Sequence, residues 1–379
     1  MNFELDEVQS LLKNSVAHWT AKNYGFEARS KLVNEGGGFS EAHWSAFVEF
    51  GWLGASLAEE DGGYGGGPIE AAIIMEEFGK VLVTEPFFAV GVLAAQTLIG
   101  MGGEASISLV HAMQAGETRA VLAHAEAAAR GDVGCVSSTA RRTGAGWSIN
   151  GTKAMVWGAP FADQFIVSAR SFGATRDRQG ISLFLVPADA AGLSRRNARL
   201  SDGSRAAALS FTDVSIPQDA LLGTEGGAFD ALARGQAHGI VALCAEAVGA
   251  MDRVLWMTRD YLLMRKQFKQ PIGNFQALQH RMADMLIELE LSRSVLYRAL
   301  SRLGSPVDER DHAVSLAKVQ IGKAAKFVGG QAIQLHGGIG VTEECAVGHY
   351  FRRLTLIDNS FGSVQWHLQR IAAHFQKAA

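Results

Sequence analysis

Arg265-Lys-Gln-Phe268-Lys-Gln-Pro-Ile272-Gly-Asn-Phe275-Gln276 sets a cation, an aromatic ring and several amides in one tight turn between two long helical patterns. The guanidinium of Arg265 is a planar donor fork suited to an anion, a task for which a flexible ammonium is poorer. Later in the same helical region, Gln334-Leu-His336-Gly337-Gly338 ends a helix on paired glycines, which let a ligand approach the backbone. The two segments together read as one binding surface.

Outward from this turn, apolar residues recur at helical spacing. Ile240, Leu243, Cys244, Ala247, Val248, Met251, Val254 and Leu255 form one stripe, and Leu278, Met282, Met285, Leu286, Leu289 and Leu296 another. A third helix, over residues 313–335, is rich in small residues such as Gly322, Ala325 and Gly329 that permit close packing. These stripes predict a four-helix bundle over residues 226–379. Upstream, over residues 118–225, the period falls to two, as in Ile181-Ser-Leu-Phe-Leu-Val186, and Asn150-Gly151 carries a hairpin signal. An antiparallel sheet or small barrel is expected there. Residues 1–117 return to helical spacing, broken by glycine clusters at 36–38 and 62–67. The second cluster lacks a preceding strand and the Gly-x-Gly-x-x-Gly spacing, which predicts a structural turn. The fold class is therefore α+β and multidomain: helical N-terminal domain, middle β domain, C-terminal bundle.

Composition is consistent with this organisation. At 379 residues the chain exceeds one ordinary domain, and 48% hydrophobic with 19% charged residues describes a globular protein. A net charge of −3 gives no reason to expect nucleic acid or an acidic membrane surface as partner. Cys135, Cys244 and Cys345 are few, odd in number and far apart, as in a reduced cytoplasmic protein without structural zinc. Glu4 and Asp6 argue against a targeting leader. The most apolar run, residues 86–101, is interrupted by Gly91, Gln96 and Thr97 and is shorter than the roughly 20 residues that span a bilayer, so it reads as a buried core helix. Asp308-Glu-Arg-Asp311-His312 reads as a polar interhelical loop and helix start, and no metal site is expected.

Six segments occur in a telling order: Glu59-Glu60-Asp61-Gly-Gly-Tyr64-Gly-Gly, Asn150-Gly-Thr-Lys153, Ala162-Asp163, Phe211-Thr-Asp-Val-Ser-Ile-Pro217, the turn from Arg265 to Gln276, and Gln334 to Gly340. In this order the chain resembles the acyl-CoA dehydrogenase flavoprotein family along essentially its whole length. The resemblance implies FAD as cofactor, an acyl-CoA thioester as substrate, and an oligomer, homo- or heteromeric, arranged as a dimer of dimers. It implies that Arg265 pairs with the FAD pyrophosphate and Phe268 packs on the adenosine side, while Gln276 and Gln334 hydrogen-bond and Gly337 and Gly338 admit the ligand. Gln267, Ile272 and Phe275 complete the cofactor-binding set. In the family these residues serve a flavin held mainly by the neighbouring subunit.

Where the resemblance lapses, it does so at the reacting centre. The family's base is a glutamate in a Tyr-Glu-Gly-Thr loop near the C-terminus or on the helix before the arginine turn. Here the loop reads Ser360-Phe361-Gly362-Ser363, and the helix position is Gly239. A Trp-Ile-Thr or Trp-Ile-Ser run becomes Met155-Val156-Trp157, and a Thr-Glu-Pro-x-x-Gly-Ser-Asp segment becomes Ala125-Glu126-Ala-Ala-Ala-Arg-Gly131-Asp132. The pattern resembles the small, supporting subunit of heteromeric acyl-CoA dehydrogenases, including those acting on dicarboxylyl-CoA and steroid side chains. Two alternatives stand beside it. One is a self-sufficient dehydrogenase with Asp358 or His238 as an atypical base; the other is a flavin monooxygenase, an oxidase or a non-catalytic scaffold on the same fold.

Overall fold

The computed structural model describes residues 4–378. Residues 1–3, which open the segment read as lacking a leader, lie outside them.

The N-terminal region is helical, as its periodicity predicts. α1 (Glu7–Asn23) starts at a reciprocal cap in which the Asp6 carboxylate accepts from the Gln9 amide and the Gln9 side chain accepts from the Asp6 N–H. Then follow α2 (Phe26–Asn34), α3 (Glu41–Glu49), α4 (Trp52–Ala55) and α5 (Pro68–Val81). The apolar run is buried as expected, but its first part, Phe88–Ala94, is wound as a π-helix before α6 (Ala95–Met101) and α7 (Glu104–Gln114). The glycine-rich segment ahead of α5 is a packed turn: a Cβ on Gly66 would lie 1.8 Å from the Ala55 carbonyl oxygen.

The middle region forms an eight-stranded sheet from β1 (Ala120–Ala123), β2 (Thr139–Thr143), β3 (Gly146–Trp157), β4 (Gln164–Arg170), β5 (Ile181–Pro187), β6 (Leu193–Arg199), β7 (Arg205–Pro217) and β8 (Leu221–Leu222), ordered β6-β7-β3-β2-β4-β5-β8. Most pairings are antiparallel; β1 runs parallel to β4, from which it branches. One sequence expectation fails here. Asn150-Gly151 closes no hairpin but lies inside the long strand β3, where the register against β7 slips. The Asn150 amide is taken up across the strands by Asp213, at 2.8 Å, and Gly151, at φ +141°, lies against Ser138, where a Cβ would come within 2.5 Å of the hydroxyl. A local side-chain bond and a close approach have replaced the turn.

The C-terminal region comprises α8 (Phe229–Met264), the two-residue strands β9 (Lys266–Gln267) and β10 (Gln270–Pro271), α9 (Gln276–Arg302), α10 (Val307–His336), α11 (Ala346–Asn359) and α12 (Val364–Ala378). α10 begins six residues before the helix read from the periodicity, at Val307, so the acidic segment at Asp308 is its first turn. The stripe from Ile240 to Leu255 is entirely buried; in the second stripe Met285, Leu289 and Leu296 are buried and Leu286 is exposed.

Packing divides the chain into two compact units that do not follow chain order, one of Met1–Lys31, Ala72–Val83 and Ile240–Ala379, the other of Leu32–Ala71 and Thr84–Gly239. Within the first, α5 and α8 cross with their backbones in contact: a Cβ on Gly79 would lie 2.1 Å from the Glu246 carbonyl oxygen, and one on Gly249 would lie 1.9 Å from that of Glu76. Beside this crossing the buried carboxylate of Glu246 receives both arms of the Arg353 guanidinium, each at 2.6 Å, tying α8 to α11. Among the described residues no helix is long and apolar enough to cross a membrane.

Candidate functional site

The turn after α8 is a miniature hairpin. Lys266–Gln267 pair with Gln270–Pro271, and the two residues between them, Phe268 and Lys269, have φ of +53° and +65°. Turns of this hand favour Asn-Gly, so holding phenylalanine and lysine there costs backbone strain. The Phe268 ring is 83% exposed, touching Phe275 edge-on at 5.9 Å. Arg265, Gln267 and Gln276 are exposed beside it, Ile272 and Phe275 are half-buried, and the Arg265 guanidinium makes no ion pair among the described residues.

Gln334 is exposed on the last turn of α10, and Gly337 leaves the helix at φ +62°. Gly338 has no such backbone requirement, and a Cβ on it would meet nothing within 4 Å. Among the described residues nothing therefore demands glycine at 338. The two segments are physically joined: the Tyr261 ring, one turn before Arg265, stacks on His336 at 4.4 Å, and its hydroxyl donates to the His336 carbonyl at 3.4 Å. His336 must donate from Nδ1 to the Ala332 carbonyl, and burial lowers its pKa, so the imidazole is neutral and fixed in one tautomer. An outward-facing arginine, an uncovered ring, exposed amides and a glycine with space above it fit the adenosine-diphosphate part of a dinucleotide.

The loop after α11 is rigidly built around Phe361. The Lys318 ammonium, almost wholly buried, donates to the carbonyls of Ile357 and Asp358 at 2.9 and 2.6 Å, and burial lowers its pKa. The Ser360 hydroxyl donates to Leu356 O, and His367 Nε2 to Phe361 O at 3.0 Å. Because a carbonyl only accepts, the proton sits on Nε2, and Nδ1 accepts from the Ser315 hydroxyl at 3.2 Å. Burial, helped by Lys318 and Arg370, pushes the His367 pKa down to about 3. Phe361 itself is half-buried at φ +55° and carries no proton acceptor. Asp358, one of the two alternative bases, turns its carboxylate against α10, where a Cβ on Gly322 would come within 2.5 Å of Oδ1. That oxygen is buried without a hydrogen-bond partner, and burial raises the carboxyl pKa against the pull of Lys318 and Lys326.

In the other unit, Gly239 is a packing glycine: its missing Cβ would stand 3.1 Å from Leu93 Cδ1 and 3.6 Å from the Phe88 ring. His238, beside it, is buried. The segment at Glu126 is held by a polar cluster. Burial would raise the Glu126 carboxyl, but Lys153 at 2.7 Å and the hydroxyls and N–H groups of Ser137 and Ser138 outweigh it and hold the pKa near 2. Burial lowers Lys153 to about 8 despite Glu126, and burial together with Lys153 lowers His124 to about 3. Farther along β3, a bulge between Lys153 and Val156 puts Met155 at φ +50° with its side chain exposed, and Trp157 meets Phe88 edge-on at 5.8 Å.

Tyr261 and Lys318 escaped the sequence reading, and Glu126 and Lys153 entered it only as motif positions, not as an ion pair. Lys318 left a trace as a lysine on the apolar face between Val314 and Ile321.

Comparison with known proteins finds three sequence models in chain order. Sequence models of the acyl-CoA dehydrogenase N-terminal, middle and C-terminal domains match residues 6–107, 121–214 and 229–376. The probable acyl-CoA dehydrogenase YngJ of Bacillus subtilis (strain 168) is 30% identical, over 98% of each chain. A solved Tcur3481-Tcur3483 steroid ACAD variant is similar at TM-score 0.87 and 28% identity over 98% of each chain, and the ChsE4-ChsE5 complex from Mycobacterium tuberculosis at TM-score 0.88 and 25% identity over 100% of this chain and 99% of that one.

Proposed function

This chain belongs to the acyl-CoA dehydrogenase family, and we propose that within it the chain is the supporting subunit of an FAD-linked α,β-dehydrogenation of an acyl-CoA thioester. Residues 1–117, 118–225 and 226–379 are its three domains, and it works in a heteromeric dimer of dimers. Arg265, Gln267, Phe268, Ile272, Phe275, Gln276, Gln334, Gly337 and Gly338 hold the adenosine-diphosphate part of FAD, largely on behalf of a neighbouring subunit. FAD, when bound, supplies the acceptor for the β-hydrogen as hydride. The α-proton must leave to a carboxylate, and a positioned base is worth about 10²–10⁴-fold in rate. Phe361 offers no lone pair, and Gly239 no side chain, so that carboxylate comes from a sister chain.

The observation that carries this reading is the contrast between two well-built surfaces. The loop around Phe361 is anchored by buried Lys318 and His367 yet presents a hydrocarbon ring, whereas the hairpin at Phe268 exposes its ring beside an Arg265 guanidinium that makes no ion pair among the described residues. The test is the visible spectrum and flavin-to-protein ratio of the chain purified alone and co-expressed with a family member bearing the loop glutamate. The expected result is a colourless chain alone, with flavin and acyl-CoA oxidation in the pair. Stoichiometric flavin that bleaches when an acyl-CoA is added to the chain alone would overturn the proposal, and Asp358 and His238 would then be the first residues to substitute.

A further inference from the structure

In the unit that contains Ile240–Ala379, a cavity of about 390 Å³ opens where the ends of α1 and α5 meet α8 and α11. Short side chains at Ala17 and Ala21, one turn apart on α1, leave the space, and Gly25 borders it with nothing within 4 Å of where a Cβ would be. At about 30 Å³ per water-sized group, the volume holds roughly a dozen such groups, the size of a small ligand. Phe26, Leu82 and Met257 complete an apolar wall.

Four charged side chains line the cavity: Arg29, Lys80, Arg253 and Glu77. Glu77 binds the Lys80 ammonium at 2.6 Å, and the other two charged groups are guanidiniums. Arg29, only 3% exposed, donates from Nε to the Leu82 carbonyl at 2.8 Å and from Nη1 to His349 Nδ1 at 3.3 Å. Arg253 lines the cavity next to Tyr350, whose hydroxyl donates to the Lys80 carbonyl. An apolar wall with two guanidiniums, one of them fixed by its hydrogen bonds, is complementary to a small anion carrying an aliphatic body, and guanidinium geometry matches a carboxylate in particular.

We infer that this cavity is a binding site for a small aliphatic carboxylate, separate from the dinucleotide surface and independent of the dehydrogenation reading. The test is calorimetric titration of the full chain with sodium octanoate, repeated with Ala21→Trp, which fills the cavity, and Arg253→Gln, which removes the charge at its mouth. One saturable site per chain is expected, weakened at least tenfold by each substitution. Circular dichroism checks that each variant folds; should Ala21→Trp unfold the helix, Arg253→Gln decides alone. Absence of saturable binding, or wild-type affinity in either folded variant, overturns the site. The latter result would also locate octanoate elsewhere, as in the acyl channel implied by the proposed reaction.

Discussion

His367→Gln should flatten the acid sensitivity of this protein by a calculable amount. The imidazole is fully buried, donates to Phe361 O and accepts from Ser315, and its pKa is pushed from the ordinary 6.5 to about 3. A histidine held neutral in the native state binds its proton more readily when unfolded, so the stability it contributes is complete above pH 6.5 and is lost as the pH falls toward 3. At about pH 5 the unfolded chain is favoured by a factor of about 30, which is about 2 kcal/mol, whereas at about pH 7.5 the effect is negligible. Glutamine keeps an N–H for the Phe361 carbonyl and an acceptor for Ser315 but does not titrate. Urea unfolding followed by tryptophan fluorescence at the two pH values, for wild type and variant, isolates the effect, because the other lowered histidines are common to both. The wild type should lose about 2 kcal/mol more than the variant between the two pH values. Equal losses would refute the assignment of a buried neutral imidazole as the clamp of this loop.

Glu126→Ala leaves the buried Lys153 ammonium without its carboxylate and should cost about 3–5 kcal/mol, seen as a large fall in the calorimetric transition of the chain; an unchanged transition would contradict the pair's structural role. Two glycine substitutions should behave oppositely. Gly235→Ala drives a Cβ to 1.9 Å from Thr97 Oγ and should destabilise by about 1–3 kcal/mol, while Gly338→Ala, with open space, should change stability by less than about 0.5 kcal/mol yet reduce the flavin retained by the co-expressed complex. Arg265→Ala should leave thermal unfolding unchanged and weaken FAD retention in that complex about 10- to 100-fold, the loss of charge-assisted hydrogen bonds; undiminished retention would remove Arg265 from the cofactor surface.

Much of the architecture was legible because it rests on periodicity. The buried stripe from Ile240 to Leu255 and the change to alternation at Ile181–Pro187 are one-dimensional signals of which face meets a core. The turn from Arg265 to Gln276 could likewise be read as a turn, since Pro271 lacks the N–H a helix interior needs and Gly273 is a weak helix former. Asn150-Gly151 failed for the complementary reason: a local turn preference of modest energy lost to the pairing of β3 with β7 and to the Asn150–Asp213 bond across the strands.

The sequence by itself determined the three-part order of helical, β and helical regions, the two segments proposed to hold the cofactor, and the absence of a glutamate at positions 361 and 239. These follow from residue identity and spacing, which folding does not alter. The tertiary structure alone decided that Gly338 has open space, whereas Gly239 meets Leu93, that Tyr261 and His336 join the turn at Arg265 to the end of α10, and that Asp358 turns its carboxylate against α10. It alone brought Lys318 to the carbonyls of Ile357 and Asp358, 39 and 40 residues away in sequence. Close approach, burial and hydrogen-bond partnership are properties of pairs of distant residues, and no periodicity along one chain encodes which distant residue arrives.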